Sequence, residues 1–421
     1  MFRNRSLLIL VAAVVVSVAV ISWGGLMADT GANWGQFRHV AAAEVRTRAG
    51  IDVLEQQHFA PLRGKKIGLI TNQTGVDFEG RRTIDVLAHA DGVKLVALFS
   101  PEHGIAGKLD QGRVENSKDS ATGLPIFSLY GVSRRPADEQ LAGLDALVFD
   151  IQDAGVRFYT YTATMGYCME AAAKNHVAFY VLDRPNPLGG EKIEGPVLDR
   201  DKTAFVAYFP MPIIYGMTLG ELAQMFNAEN KIGAELHVVK MEGWKRSETY
   251  GETGLAWIPP SPNLRTVAEV LPYPGIEILQ AGGVSVGRGT ETPFEIVGAP
   301  WVHREQLAFA LGQRRIPGVA FRPARFTPTS DLYKGQACEG VEVQVTNGAV
   351  FESVRTGMEI AEALGKLYPE KFQIAKMVVL VGNTATIEAL ENGEPVAAIV
   401  ASWTPALKEF RAMRSKYLMY E

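Results

Sequence analysis

The sequence predicts an α/β protein, with a Rossmann-like parallel sheet in the larger first part and a smaller α+β domain after it. Three observations carry this expectation. Short, continuously apolar strands recur through the first half of the chain, the signature of a parallel sheet covered on both faces. Helix-length segments separate them, as parallel connections require. Beyond the proline cluster in "WIPPSPNLRT" (Trp257–Thr266) the apolar runs give way to alternating and amphipathic stretches, which marks an interdomain crossing.

Before the sheet, Arg3 and Arg5 precede the uncharged stretch Ser6–Ala28. A positive n-region before an apolar segment predicts export, and the stretch is long enough for a membrane span of ~20 residues. Residues 1–28 therefore read as a signal peptide or a membrane anchor and residues 29–49 as a linker. The mature part is expected to work outside the cytoplasm, in the periplasm or its equivalent.

The first strand is Lys66–Asn72 (KIGLITN), followed by a helix over Arg81–Ala90 and a second strand, Lys94–Ser100 (KLVALFS). Asp138–Gly143 reads as a helix, Ala146–Ile151 (ALVFDI) as the third strand, Met165–Asn175 as a helix and Val177–Leu182 (VAFYVL) as the fourth strand. A helix over Gly220–Asn227 and a strand over Glu235–Met241 complete a first domain of residues 50–262. In residues 263–421, Val341–Thr346 alternates as a strand, Arg355–Leu367 is amphipathic and Pro405–Tyr417 closes the chain as a helix.

Composition narrows function mainly by exclusion. A net charge of −4 leaves no basic excess for nucleic acid. The first strand is not followed by G-x-G-x-x-G, and no P-loop or H-E-x-x-H motif occurs, so neither a nucleotide cofactor nor a catalytic zinc is expected. The cysteines, Cys168 and Cys338, read either as one long-range disulfide after export or as two buried thiols.

In an open parallel sheet, ligands bind beyond the carboxyl ends of the strands. Those ends carry Asn72, Gln73 and Thr74; then Glu102 and His103 of "SPEHGI"; then Gln152, Asp153, Arg157, Tyr159 and Tyr161; then Asp183, Arg184 and Asn186. This uniform polarity predicts a polar cleft. Bland roles compete with it: Glu102 as a helix cap, His103 satisfying a carbonyl, Asp153 and Asp183 bridged to Arg157 or Arg184. One of Tyr159 and Tyr161, alternating on extended chain, is expected in the core and the other in the cleft. The run Gly283-Val284-Ser285-Val286-Gly287 matches the serine nucleophile elbow, but no helix is indicated after it and only His303 lies downstream as a base.

The motifs "GLITNQTG", "SPEHGIAG", "DIQDAGVRFYTY", "LDRPNPLGG", "YGMTLGEL", "PPSPNLRT", "VGRGTETPFEIVGAPW" and "RTGMEIAEAL" occur in this order. With them the chain resembles the NamZ-type exo-β-N-acetylmuramidase family over nearly its whole mature length. The resemblance implies a Rossmann-like domain joined to a smaller one, with the site between them. It also implies release of N-acetylmuramic acid from the non-reducing ends of peptidoglycan fragments. The catalytic acid of the P-E-H-G motif would be Glu102, and the matching motifs add Asn263, Arg288, Thr290 and Glu291 as substrate contacts. Two positions depart from the family pattern: Gln280 stands where many members carry an acid, and Tyr215 where many carry histidine.

Glycoside hydrolysis needs an acid for the leaving oxygen and a second group at the anomeric carbon. Glu102 is the expected acid, with His103 orienting it or relaying its proton. Asp153 is favoured over Asp183 and Glu291 as the second group. The lactyl carboxylate of muramic acid calls for a guanidinium fork, for which Arg157 and Arg288 are the candidates, and Tyr159 or Tyr161 would stack on the sugar. Two other readings are a wall esterase or amidase using Ser285 and a non-catalytic binding protein for wall fragments.

Overall fold

The computed structural model describes residues 47–109 and 112–421. The apolar leader lies outside them, and no helix among the described residues is long and apolar enough to cross a membrane. Along the first lobe run α1 (Gly50–Gln56), β1 (Lys66–Thr71), α2 (Thr83–Ala88), β2 (Lys94–Ser100), β3 (Ser117–Lys118) and β4 (Pro125–Ser128). They are followed by α3 (Asp138–Leu141), β5 (Ala146–Asp150), α4 (Thr160–Lys174), β6 (Ala178–Leu182), α5 (Leu219–Glu229) and β7 (Leu236–Val239).

These strands form one seven-stranded sheet in the order β3-β4-β2-β1-β5-β6-β7. All neighbours are parallel except β3, a two-residue edge piece antiparallel to β4. The apolar runs work as expected. Ile67, Leu69, Leu98 and Val148 pack on one face with residues of α1 and α2. Ile70, Phe99, Phe149 and Phe179 pack on the other with α4 and α5. Each such side chain contributes about 1.5–3 kcal/mol by leaving water. From β1 the chain builds β2 on one side and β5 on the other, so the order reverses there. A reversal of this kind opens a crevice at the strands' carboxyl ends.

The second lobe holds α6 (Val267–Val270), α7 (Tyr273–Gln280), β8 (Ile296–Ala299), α8 (Arg304–Gly312), β9 (Val319–Phe326), β10 (Cys338–Val345) and α9 (Ser353–Leu367). Four short helices, α10 (Val378–Val381), α11 (Thr384–Glu391), α12 (Val396–Ser402) and α13 (Thr404–Arg414), end the chain. Its antiparallel sheet has the order β8-β10-β9. Helices α7 and α9 touch backbone to backbone: a Cβ on Gly275 would stand 1.8 Å from the Ser353 carbonyl oxygen. One apolar core runs through both lobes, joining Phe149 and Met211 to Ile276, Val297 and Met358.

Two sequence expectations change, and the cysteine alternative resolves. Helix α4 begins at Thr160, not Met165, because Thr160 to Thr164 are buried on a helix, with Tyr159 the extended residue before it. The helix expected over Arg81–Ala90 contracts to α2. Cys168 and Cys338 are buried, unbridged thiols.

Candidate active site

The crevice collects side chains from β1, β2, β5 and the second lobe. Glu102 follows the end of β2, and its Oε2 accepts a 2.6 Å hydrogen bond from the Thr160 hydroxyl in the first turn of α4. A helix N-terminus is a favourable place for a carboxylate. His103 sits at φ +68°, left-handed backbone that a histidine adopts only under local constraint. Its Nδ1 lies 2.7 Å from the Leu109 carbonyl oxygen, so the ring closes its own loop.

Asp153 follows β5 and is buried. Its Oδ2 accepts the Gly155 amide at 2.7 Å and the Tyr215 hydroxyl in a short bond. Gly155 has φ +76°, and a Cβ there would lie 2.3 Å from Asn186 Oδ1, so only glycine fits this turn. The other oxygen, Oδ1, is buried and takes no hydrogen bond among the described residues. Burial raises the carboxyl to about 6, against the Tyr215 hydroxyl and the Gly155 and Ala154 amides, which pull it down.

Two tyrosines join these acids to the second lobe. Tyr159 and Tyr161 meet edge to face at 4.9 Å, and Tyr159 meets Tyr273 of α7 the same way at 6.1 Å. Tyr159 is held above the usual tyrosine range chiefly by burial; the charges of Asp153 and Glu102 raise it further and that of Arg288 lowers it. Tyr273 likewise feels Glu277, Arg288, Tyr159 and Glu102. The floor extends from Tyr159 through Tyr273 to Phe294, whose ring meets that of Tyr273 at 4.7 Å. Asn72 donates to the Tyr161 hydroxyl at 2.9 Å, and that hydroxyl donates to the Pro260 carbonyl at 2.7 Å. This ties the end of β1 to the proline crossing.

On the second lobe, Arg288 Nη2 donates to Glu277 Oε1 at 2.6 Å and its Nε to Gln280 Oε1 at 2.9 Å. The guanidinium carbon lies 5.2 Å from the centre of the Phe294 ring. The Asn263 side chain accepts the Gly289 amide at 3.2 Å, and the Thr290 hydroxyl donates to the Gly287 carbonyl at 2.6 Å. Both shape the Arg288 loop. Glu291 is exposed.

Several expected site residues prove structural. Arg157 is buried, and its guanidinium donates to the carbonyls of Pro196, Met211, Leu380 and Val381 at 2.6–3.0 Å, which leaves no carboxylate fork there. Arg184 pairs with Asp150 at 2.5 Å, not with Asp153 or Asp183. Asp183 accepts from Thr218, Gly220, Tyr420 and the Arg184 amide. Those bonds satisfy both of its oxygens and cap α5; burial raises this carboxyl to about 6 as well. Asn186 bonds the Met217 carbonyl and the Leu188 amide. Tyr161 is core and Tyr159 is the floor. Ser285 is 3 % exposed, with its backbone bridged to Gly298, while His303 stands on the surface beside Glu305. No nucleophile elbow forms.

Glu277 is the residue that sequence reasoning missed. Its signal was a lone charge in the apolar run "YPGIEIL", where an unpaired buried carboxylate would be costly. A partner was therefore implied.

Two family models cover the described chain. The N-terminal model of exo-β-N-acetylmuramidase NamZ matches residues 67–268 and the C-terminal one residues 271–420. The chain is 43% identical over 387 residues to the peptidoglycan β-N-acetylmuramidase NamZ of Bacillus subtilis (strain 168), covering 91% of this chain and 94% of that one. Among solved structures, a DUF1343 family protein of Bacteroides fragilis NCTC 9343 superposes with a TM-score of 0.84 at 40% identity, over 90% of this chain and 100% of that one. A second DUF1343 protein of the same organism gives 0.74 at 30% identity, over 89% and 99%.

Proposed function

The chain belongs to the exo-β-N-acetylmuramidase NamZ family, and from that premise we propose that it hydrolyses the terminal N-acetylmuramic acid from the non-reducing end of peptidoglycan fragments, with Glu102 as general acid. The observations that support this most are geometric: Glu102 is bonded to Thr160 beside Tyr159, the rings of Tyr159, Tyr273 and Phe294 meet edge to face and lead to Arg288, and Asp153 keeps a buried oxygen without a partner among the described residues. With Thr160 on Oε2, Glu102 has Oε1 to give its proton to the leaving glycosidic oxygen as the C1–O bond breaks. Water supplies the hydroxyl that ends on C1, and the proton it releases restores the Glu102 acid. Positive charge developing at C1 is stabilised by the ionised Asp153, acting through the tyrosine floor in a poorly screened setting.

Substrate selection falls to Arg288. Glu277 and Gln280 occupy Nη2 and Nε, and the Arg288 side chain keeps 18 % of its surface exposed. A lactyl carboxylate would dock there. The apolar leader supports action outside the cytoplasm, in turnover of wall material. Replacing Glu102→Gln is expected to lower release of a chromogenic N-acetylmuraminide by at least about 10³-fold with the fold unchanged. Near-normal turnover would remove Glu102 as the acid.

A further inference from the structure

We infer that Glu277 and Gln280, one turn apart on α7, set the charge that Arg288 presents and so decide selectivity for an anionic sugar; this rests on Arg288 docking the lactyl carboxylate. Residues three apart on a helix share a face, and here both reach the same guanidinium. One contributes a carboxylate and the other a neutral amide. The amide also works in the other direction: Gln280 Nε2 donates to Asp331 Oδ2 at 2.9 Å. That bond holds Asp331 at 3.6 Å from Arg288 Nε, so the nearest carboxylate contact to the arginine is that of Glu277.

A carboxylate at position 280 would lose the donor to Asp331 and put a second acid in contact with Arg288. An extra unit charge about 6 Å from a docked carboxylate, at a dielectric between water and the protein surface, weakens affinity about tenfold. An uncharged ligand of the same shape would be nearly unaffected. Gln280 is thus a specificity-determining residue that touches the sugar only through Arg288. Since 277 and 280 face one partner, exchanging their acid and amide should preserve the balance.

The test measures inhibition of chromogenic muraminide turnover by N-acetylmuramic acid and by its lactyl methyl ester. Gln280→Glu should raise the inhibition constant of the acid about tenfold and leave that of the ester within about twofold. The double variant Glu277→Gln/Gln280→Glu should bring the acid back to within about threefold of the starting protein. If Gln280→Glu does not fold, Asp331→Asn decides: the acid should bind about threefold tighter and the ester equally, and an unchanged acid would overturn the inference. Acid and ester weakened alike by Gln280→Glu would also overturn it. Selectivity lost in Arg288→Ala but intact in Gln280→Glu defeats this inference alone. Selectivity intact in Arg288→Ala defeats the lactyl docking, and this inference with it.

Discussion

Asp153→Asn should cost activity, and its effect on stability should become more favourable as pH rises. The folded protein holds this carboxyl at about 6, against 3.8 for an ordinary aspartate. A raised acid favours the folded state while it is protonated. That contribution is complete below the unfolded value near 4, falls away as pH climbs, and is gone above 6. Roughly two units at 1.36 kcal/mol each make about 3 kcal/mol. Asparagine cannot ionise and escapes the loss. Its amide would place an unpartnered donor where Oδ1 now lies, a cost of about 1–3 kcal/mol that does not vary with pH. The difference between two pH values isolates the titration, and Asp183, similarly raised, cancels because both proteins carry it. Urea unfolding at pH 4.5 and 7.5 should show the variant gaining about 2 kcal/mol more at the higher value. An equal stability change at both values would refute the reasoning, whatever happens to turnover.

Other outcomes follow from neighbouring contacts. Tyr215→Phe removes the hydroxyl that lowers Asp153, so the acid limb of kcat, expected near pH 6, should move upward; a limb that stays in place would separate Asp153 from the reaction. Arg157→Met strips four carbonyls of their charged donor and should cost at least about 3 kcal/mol in urea unfolding; a loss under about 1 kcal/mol would mean that those carbonyls find other donors. Thr160→Val frees Glu102 Oε2 and should lower kcat about tenfold with KM unchanged; a pure KM effect would place the hydroxyl on the substrate instead.

The sheet was readable because its four main strands are buried on both faces, which leaves long apolar runs with no competing period. Ser117–Lys118 and Pro125–Ser128 were not, since an edge pair two to four residues long needs little apolar sequence. The start of α4 was misread because a tyrosine on either side of Thr160 mimics the two-residue period of a strand. Strand-end position pointed to Glu102 and Asp153, but it could not separate them from Arg157, Asp183 and Arg184, which leave the same rim. The difference lies in partners distant in sequence. Leu380 and Val381 claim Arg157, Tyr420 completes Asp183, and Asp150 takes Arg184. Glu277 was overlooked for the converse reason, because its partner Arg288 lies on another segment.

The last residues of the chain return to the first lobe. Tyr420 donates to Asp183 at 2.6 Å, the Met419 amide donates to Glu221 at 2.8 Å, and the Glu421 carbonyl receives the Arg246 amide at 2.7 Å. Removing residues 419–421 should therefore open the Asp183 turn to protease, although that turn lies in the first lobe and more than 200 residues earlier in sequence.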